Sequence, residues 1–549
     1  MEKKHYHRWV YGIVIVAVVF TFLFTYFPHI MNIQAQGRTA LYMEKLFASS
    51  VISQIEIEVA EEGWQEMLDN ALEEEYISCT LTINGETYRE VGIRPKGNSS
   101  LTMVSRSDSD RYSFKIKMDE YVSGQSYYGL TKFVVNNCQG DSTYMKEILS
   151  YDLMEYMGVV TPGRGYAQIS VNGDPVGLYL AVETLEEEFL ARNFGTDYGN
   201  LYKPETMDMN DGMAAKMDGR GDMNDDMAAK MDGRGDRDAN WIPEGQSPEN
   251  PQTNERQMMG GPMQGGSAQG ADLVYQDDEI SSYANVFENA VLKSTNSEDM
   301  ERVILALKGL NTFQNVTEIR QVVDIEEVLR YFAVNTTLVN LDSYVSGLLH
   351  NYYLYEEEGV ISILPWDLNL SFGGFQSGGS QSVVNFPIDE PVTEGIDLSE
   401  RPLIGRLLEF EELQTLYHEY LQEIVDGYFK SGLFESSIEK YYQLIKNDVE
   451  NDPTAFFTYQ QFEEGVKNLE ILGTLRAESI QGQLMGDIPS TYDEQKANPE
   501  KLLDASLLDM EALGSQGANG SLDRGSDWMR GPERREDGDV RFSEEMQLP

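Results

Sequence analysis

An α+β fold, antiparallel and β-rich in its N-terminal part, helical in its C-terminal part and preceded by a transmembrane helix, is predicted by three features of this 549-residue chain. Short segments of alternating polarity fill the first half, and two pairs of them meet at Asn84-Gly85 and Asn172-Gly173. Asn-Gly is the strongest short hairpin signal. From about residue 283 the apolar spacing becomes helical, as in LIGRLLEFEELQTLYHEYLQEIVDGYF after residue 401. Residues 9–27, WVYGIVIVAVVFTFLFTYF, carry no charge and are long enough to cross a bilayer core.

Taken in order, Lys3, Lys4 and Arg8 precede the apolar run, which predicts a cytoplasmic N-terminus and the bulk of the chain outside the cytoplasm. Residues 1–40 are then a cytoplasmic stub and anchor; a signal peptide cleaved near Ala35-Gln36-Gly37 is the alternative. Residues 54–59 alternate as a half-buried strand, and a helix follows through Trp64 and Met67. Tyr76–Ile83 and Thr87–Ile93 form the first hairpin. Phe114, Ile116 and Met118 alternate with Lys115 and Lys117, giving a strand with one basic face, and residues 132–136 form a short buried strand. Residues 143–157 read as a helix capped by Asp141 or Ser142 and stopped by Gly158. The second hairpin joins 166–171 to 177–182, and Leu185–Asn193 reads as a helix.

Residues 205–270 break this order. DMNDGMAAKMDGRG at 208–221 recurs as DMNDDMAAKMDGRG at 222–235, after which Gly, Pro, Gln and Asn dominate. The Asp-x-Asn-Asp spacing lacks the bidentate Glu of a calcium loop, so a disordered, duplicated insertion is expected. Helical patterns then cover 283–292, 297–309, 315–320 and 324–339, followed by strands at 351–356 and 360–364. Residues 486–549 show little periodicity and are expected to be a disordered acidic tail.

Lys and Arg number 42 against 92 Asp and Glu, a net charge of −50 that repels nucleic acid and anionic lipid and attracts cations and basic proteins. Cys79 and Cys138 lack metal-ligand spacing and are compatible with a disulfide or with two buried thiols. Asp342, Asn351 and Asp367 stand at the ends of apolar segments, a set suited to holding a divalent cation against phosphate oxygens. Arg94-Pro95-Lys96-Gly97-Asn98-Ser99-Ser100 follows a strand and can cradle phosphate, or simply turn in solvent. Lys115 and Lys117 form an ordinary solvated face unless that face lines a cleft, where one of them could bind phosphate. Glu183, at a strand end, reads either as a carboxylate near a helix N-terminus or as the partner of that lysine.

Across roughly 50–480 the chain resembles the CotH spore-coat protein kinases. The resemblance is carried by VGIRPKGNSS with FKIKM, then GDPVGLYLAVETLEEEFL with FG and NLYK, and finally NLDSYVSGLLHNYYLY, ILPWDLNLSFG and RPLIGRLL. It implies an atypical protein-kinase-like fold, with lobes at 45–204 and 271–485, that transfers the γ-phosphoryl group of ATP to Ser or Thr of a protein. Through it, Asp367 corresponds to the metal-binding Asp, Asp342 to the catalytic base and Asn351 to a second metal ligand. Lys115 or Lys117 would be the phosphate lysine, Glu183 its partner and Gly97, Asn98, Ser99 and Ser100 the phosphate-side loop. ATP and Mg²⁺ or Mn²⁺ are the implied cofactors. A spore coat or cell-surface protein is the implied substrate, basic Ser-rich chains among the candidates.

The chain also departs from these patterns. Asp342 and Asn351 are nine residues apart, whereas base and Asn are five apart in ordinary kinases. Asn369 stands where the family often carries a second Asp, and the loop is Arg-Pro-Lys-Gly rather than the commoner Arg-Gly-Asn-Ser. A non-catalytic scaffold of a spore coat or cell envelope, a pseudokinase, is the alternative function.

Overall fold

Residues 40–206 and 268–514 are described by a computed structural model. The charge-free run 9–27, nearly all of the 205–270 insertion and the tail beyond 514 therefore lie outside the described residues. Among the described residues no helix is long and apolar enough to cross a membrane.

Seven strands close into a barrel: β1 (Ser53–Glu58), β2 (Ile77–Ile83), β3 (Glu86–Lys96), β4 (Ser113–Lys117), β5 (Lys132–Asn136), β6 (Arg164–Val171) and β7 (Asp174–Glu183), in the order β1-β2-β3-β4-β5-β7-β6. Neighbours are antiparallel except at the closure, where β1 runs parallel to β6 with Ile55 opposite Ile169. Both Asn-Gly pairs form the left-handed turns that two-residue hairpins require, with φ of 49° and 86° at Asn84-Gly85 and 51° and 87° at Asn172-Gly173. Each Asn also ties its turn to β1. Asn84 Oδ1 accepts from the Gln54 amide at 2.8 Å, and Asn172 Oδ1 accepts from the Val59 amide at 2.9 Å.

Alternation along the strands sends Ile57, Leu81, Ile93, Phe114, Ile116 and Phe133 into the barrel, where all are buried. The opposite parity faces outward. Strand register there lines up Arg94, Lys115, Val134 and Val182 in one row and Lys117 with Lys132 in the next. The apolar part of this outer face, including Leu180 and Val182, joins the second and larger core.

Helix α1 (Lys146–Tyr156) is pressed between the barrel and the helical layer, with Lys146, Glu147 and Ser150 buried along with its apolar residues. Asp141 caps its approach, accepting from the Thr143 amide at 2.9 Å and the Lys146 amide at 2.8 Å. Gly158, at φ 81°, ends it. Helix α2 (Glu187–Phe194) leads out of the barrel to β8 (Asn200–Tyr202). After the insertion come α3 (Ser297–Thr312), α4 (Ile325–Thr337) and the hairpin of β9 (Tyr352–Glu357) and β10 (Val360–Pro365). β8 adds to this hairpin in a three-stranded sheet, order β10-β9-β8. Helices α5 (Pro402–Leu408), α6 (Glu411–Glu423), α7 (Leu433–Glu450) and α8 (Tyr459–Met485) complete the layer.

Two sequence expectations are corrected or resolved here. The tail expected from 486 is ordered to 514: Leu513 is fully buried, Ser142 Oγ donates to the Ala512 carbonyl at 2.5 Å, and Lys146 Nζ donates to the Gly514 carbonyl at 2.8 Å. Its anchors Ala505, Leu508 and Leu513 are too irregularly spaced to produce a period. Cys79 and Cys138 are free, buried thiols, one inside the barrel and one in the larger core.

Candidate functional site

The β9–β10 hairpin assembles the acidic side of a cleft. Tyr352 pairs with Pro365, so the residues just outside the ladder, Asn351 and Asp367, emerge at the same open end. Asp342 arrives on the loop that leaves α4. Its Oδ1 lies 2.7 Å from His350 Nε2, and its Oδ2 accepts from Asn351 Nδ2 at 2.9 Å. Burial pushes the His350 imidazole down, but the Asp342 hydrogen bond and the charges of Asp342 and Asp367 lift it above its ordinary value. The backbone is strained around these groups, with φ of 48° at Val339, 52° at Leu349, 57° at Asn351, 54° at Asp367 and 58° at Phe372. Left-handed residues without glycine each cost about 1–2 kcal/mol and persist only where packing over-determines them. Arg401, in the RPLIGRLL segment, supplies part of that constraint by donating to the Tyr344 carbonyl at 2.9 Å and the Ser346 carbonyl at 2.6 Å. Asp367 is held from α1, its amide donating to Tyr151 Oη at 3.1 Å.

The outer face of β3–β5 forms the basic side. Lys96 Nζ stands 3.9 Å from Asp367 Oδ2 and donates to Asn136 Oδ1 at 3.0 Å. Asn136 Nδ2 in turn donates to both Glu147 carboxylate oxygens, at 2.9 and 3.1 Å. A relay thus runs from buried α1 through β5 and β3 to Asp367. Burial, reinforced by the charge of Asp367, pushes the Glu147 carboxyl up to about 8. Lys115 lies in the neighbouring row, and its ammonium forms no ion pair or hydrogen bond among the described residues. Burial first, then the charge of Lys132, pulls its ammonium down to about 8, against the opposing charge of Glu186.

The sequence-selected residues are therefore distributed unevenly. Asp342 and Asn351 are bonded to each other, and Asp367 acts on the same His350. Lys115 faces the cleft side of the barrel, whereas Lys117 is spent on a half-exposed pair with Glu120 at 2.6 Å. Glu183 meets neither lysine. It is fully buried and accepts from Tyr42 Oη at 2.5 Å, Arg192 Nη2 at 2.6 Å and the Gly163 amide at 2.8 Å. The cause is strand parity: Lys115 aligns with Val134 and Val182, so Glu183, the next residue on β7, points to the other face. The lysine-side carboxylate is Glu186, bonded to Lys132. The expected phosphate-side loop is only two residues long: Gly97 and Asn98 lead from Lys96 straight into a short helix, Ser99–Ser105, whose first turn holds Ser99 and Ser100. Gly97 sits at φ 121°, and a Cβ there would meet Ser100 Oγ at 2.5 Å.

Sequence reasoning placed Lys96 in a phosphate-cradling turn but missed Asn136, Glu147, Tyr151, His350 and Glu186 as members of the cleft.

The donor chemistry fits a hard cation: two carboxylates and a carboxamide offer oxygen ligands of the kind Mg²⁺ and Mn²⁺ take. Among the described residues no three His, Cys, Asp or Glu side chains converge as a ready-made cage. Such an arrangement leaves coordination positions for phosphate oxygens, as Mg²⁺ commonly takes them.

A family model described as CotH kinase protein matches residues 93–480. That span contains every cleft residue named above, while β1, β2 and most of β3, which complete the barrel, precede it. Among curated proteins the chain is similar to the inner spore coat protein H of Bacillus subtilis (strain 168), 22% identical over 335 residues, covering 60% of this chain and 72% of that protein. It is also similar to the inner spore coat protein H-like protein of the same strain, 23% identical over 128 residues, covering 23% of this chain and 40% of that protein.

Proposed function

The chain belongs to the CotH kinase protein family, and from that premise we propose that it is an ATP-dependent protein Ser/Thr kinase acting on a spore coat or cell-surface protein. The observation that carries the reading is the opposition of charges across the cleft. Lys96 and the unpaired Lys115 lie on the barrel side, and Asp367, Asp342 and Asn351 on the hairpin side. A half-buried lysine without a carboxylate partner is costly unless an anion completes it. A triphosphate is such an anion.

In this mechanism Asp342 accepts the proton of the attacking hydroxyl, and its two oxygens are oriented by His350 and Asn351. Lys115 and Lys96 bind phosphate oxygens, the second held in place by Asn136 and Glu147. A Mg²⁺ or Mn²⁺ ion, held by Asp367 and Asn351, would neutralise charge on the transferred group. Positioning and electrostatics supply most of the rate in such chemistry.

The similarity to spore coat proteins supports a coat or envelope setting for the substrate. Asn369, half-buried two residues after Asp367, favours a second reading in which the cleft binds without turnover and the protein acts as a scaffold. Incubation with γ-labelled ATP and Mg²⁺ or Mn²⁺, with a basic Ser-rich protein as acceptor, separates the two. Label on Ser or Thr, lost in Asp342→Asn, supports the kinase; nucleotide binding without transfer to the acceptor or to the chain itself supports the scaffold.

A further inference from the structure

The junction between barrel and helical layer holds a carboxylate that the phosphotransfer reading leaves unused. Glu186 directly precedes α2, a position whose side chain commonly bonds the helix's free amides, yet it makes no such bond. It reaches back instead to Lys132, whose Nζ lies 2.5 Å from both carboxylate oxygens. Lys132 is one row from Lys115 on the outer face of the barrel. Of the charges that act on Lys115, those of Lys132, Arg94 and Lys203 are positive and that of Glu186 is negative. Glu186 and Asp367 also act together on Tyr353, which places Glu186 toward the hairpin side of the cleft. The pair is not sealed in: side-chain exposure is 17% for Lys132 and 26% for Glu186.

A carboxylate that presents two oxygens to a lysine occupies the space and charge of two phosphate oxygens. We propose that Glu186 is a placeholder for polyphosphate: in the empty cleft it fills the anion position beside Lys132 and Lys115, and an incoming polyphosphate displaces it. The inference rests on the phosphate-binding side of the function proposed above and adds what sets affinity there. A single phosphate gains little, because it only replaces Glu186 at Lys132. A longer chain of phosphates also reaches Lys115 and so is selected.

The test is calorimetric titration of the full chain with tripolyphosphate at low ionic strength, comparing wild type, Glu186→Gln and Glu187→Gln. Glu187 is the exposed neighbour and controls for the general field of the acidic surface. Glu186→Gln should bind tighter by roughly ten-fold, with Glu187→Gln unchanged. Unchanged or weaker binding in Glu186→Gln, equal tightening in both variants, or no binding by any of the three would each overturn the proposal. Label transfer from ATP is followed in the same preparations. Tighter tripolyphosphate binding without any transfer would remove the kinase reading and leave the placeholder standing.

Discussion

Replacing Lys115 with Met should make the empty protein more stable and the cleft less able to bind nucleotide. Met keeps an unbranched side chain only one atom shorter and removes its charge. Burial lowers the Lys115 ammonium from an ordinary 10.5 to about 8. At about 1.4 kcal/mol per tenfold change, that corresponds to a cost of about 3 kcal/mol for holding the charge in the folded state at neutral pH. Solvent at the partly exposed tip and local relaxation reduce this to about 1–3 kcal/mol. The sign follows from linkage. Between pH 8 and 10.5 the unfolded chain binds the proton more readily than the folded one, so wild-type stability rises through that window, and below it the full cost is present. Lys115→Met should therefore melt higher than wild type at pH 7, with the difference closing as pH approaches 10. Its affinity for Mg²⁺-ATP should fall by roughly 10–100-fold, as expected for loss of a charge-assisted contact. Melting curves from pH 7 to 10 and nucleotide titrations check both halves. A variant that melts lower than wild type at pH 7, or that binds ATP as wild type does, would refute the reasoning.

Three further predictions concern the residues around it. Asp367→Asn, which retains a residue tolerant of the left-handed backbone at φ 54°, should leave the melting temperature within a few degrees while abolishing metal-dependent ATP binding and transfer; full turnover in this variant would remove Asp367 from the site. Glu183→Gln should cost about 2–4 kcal/mol, because it disturbs a buried set of three donors including Arg192, and should leave nucleotide affinity per folded molecule unchanged; a shifted affinity would restore it as a partner of the phosphate lysine. Arg401→Lys should lower kcat with little change in ATP affinity, since Arg401 constrains the Asp342 loop through the Tyr344 and Ser346 carbonyls without contacting the basic face; the split between kcat and KM is the readout.

Local chemistry made much of this molecule legible. Asn84-Gly85 and Asn172-Gly173 dictate their turns through backbone conformation alone, and the alternation of Phe114, Lys115, Ile116 and Lys117 is visible as a two-faced strand. The triad of Asp342, Asn351 and Asp367 was readable because each sits at the end of an apolar segment, where the β9–β10 pairing gathers chain ends. Barrel closure was not readable, since the parallel β1–β6 pairing joins segments more than a hundred residues apart and leaves no local trace. Glu147 was missed for a related reason: a charged residue in a sequence reads as solvent-facing until its buried neighbours are known. Glu183 failed on parity, because the face of a strand end depends on pairings with β5 that no short motif records.

The proposed function places a metal-bound triphosphate in this cleft, between the barrel's lysines and the aspartates of the hairpin. A crystal structure with Mn²⁺ and a non-hydrolysable ATP analogue, with the manganese located by anomalous scattering, tests it most directly. A manganese peak is expected within about 2–2.3 Å of an Asp367 carboxylate oxygen. Phosphate oxygens are expected in contact with Lys115, with the γ-phosphate facing Asp342. Manganese away from Asp367, or a nucleotide whose phosphates leave Lys115 untouched, would contradict it.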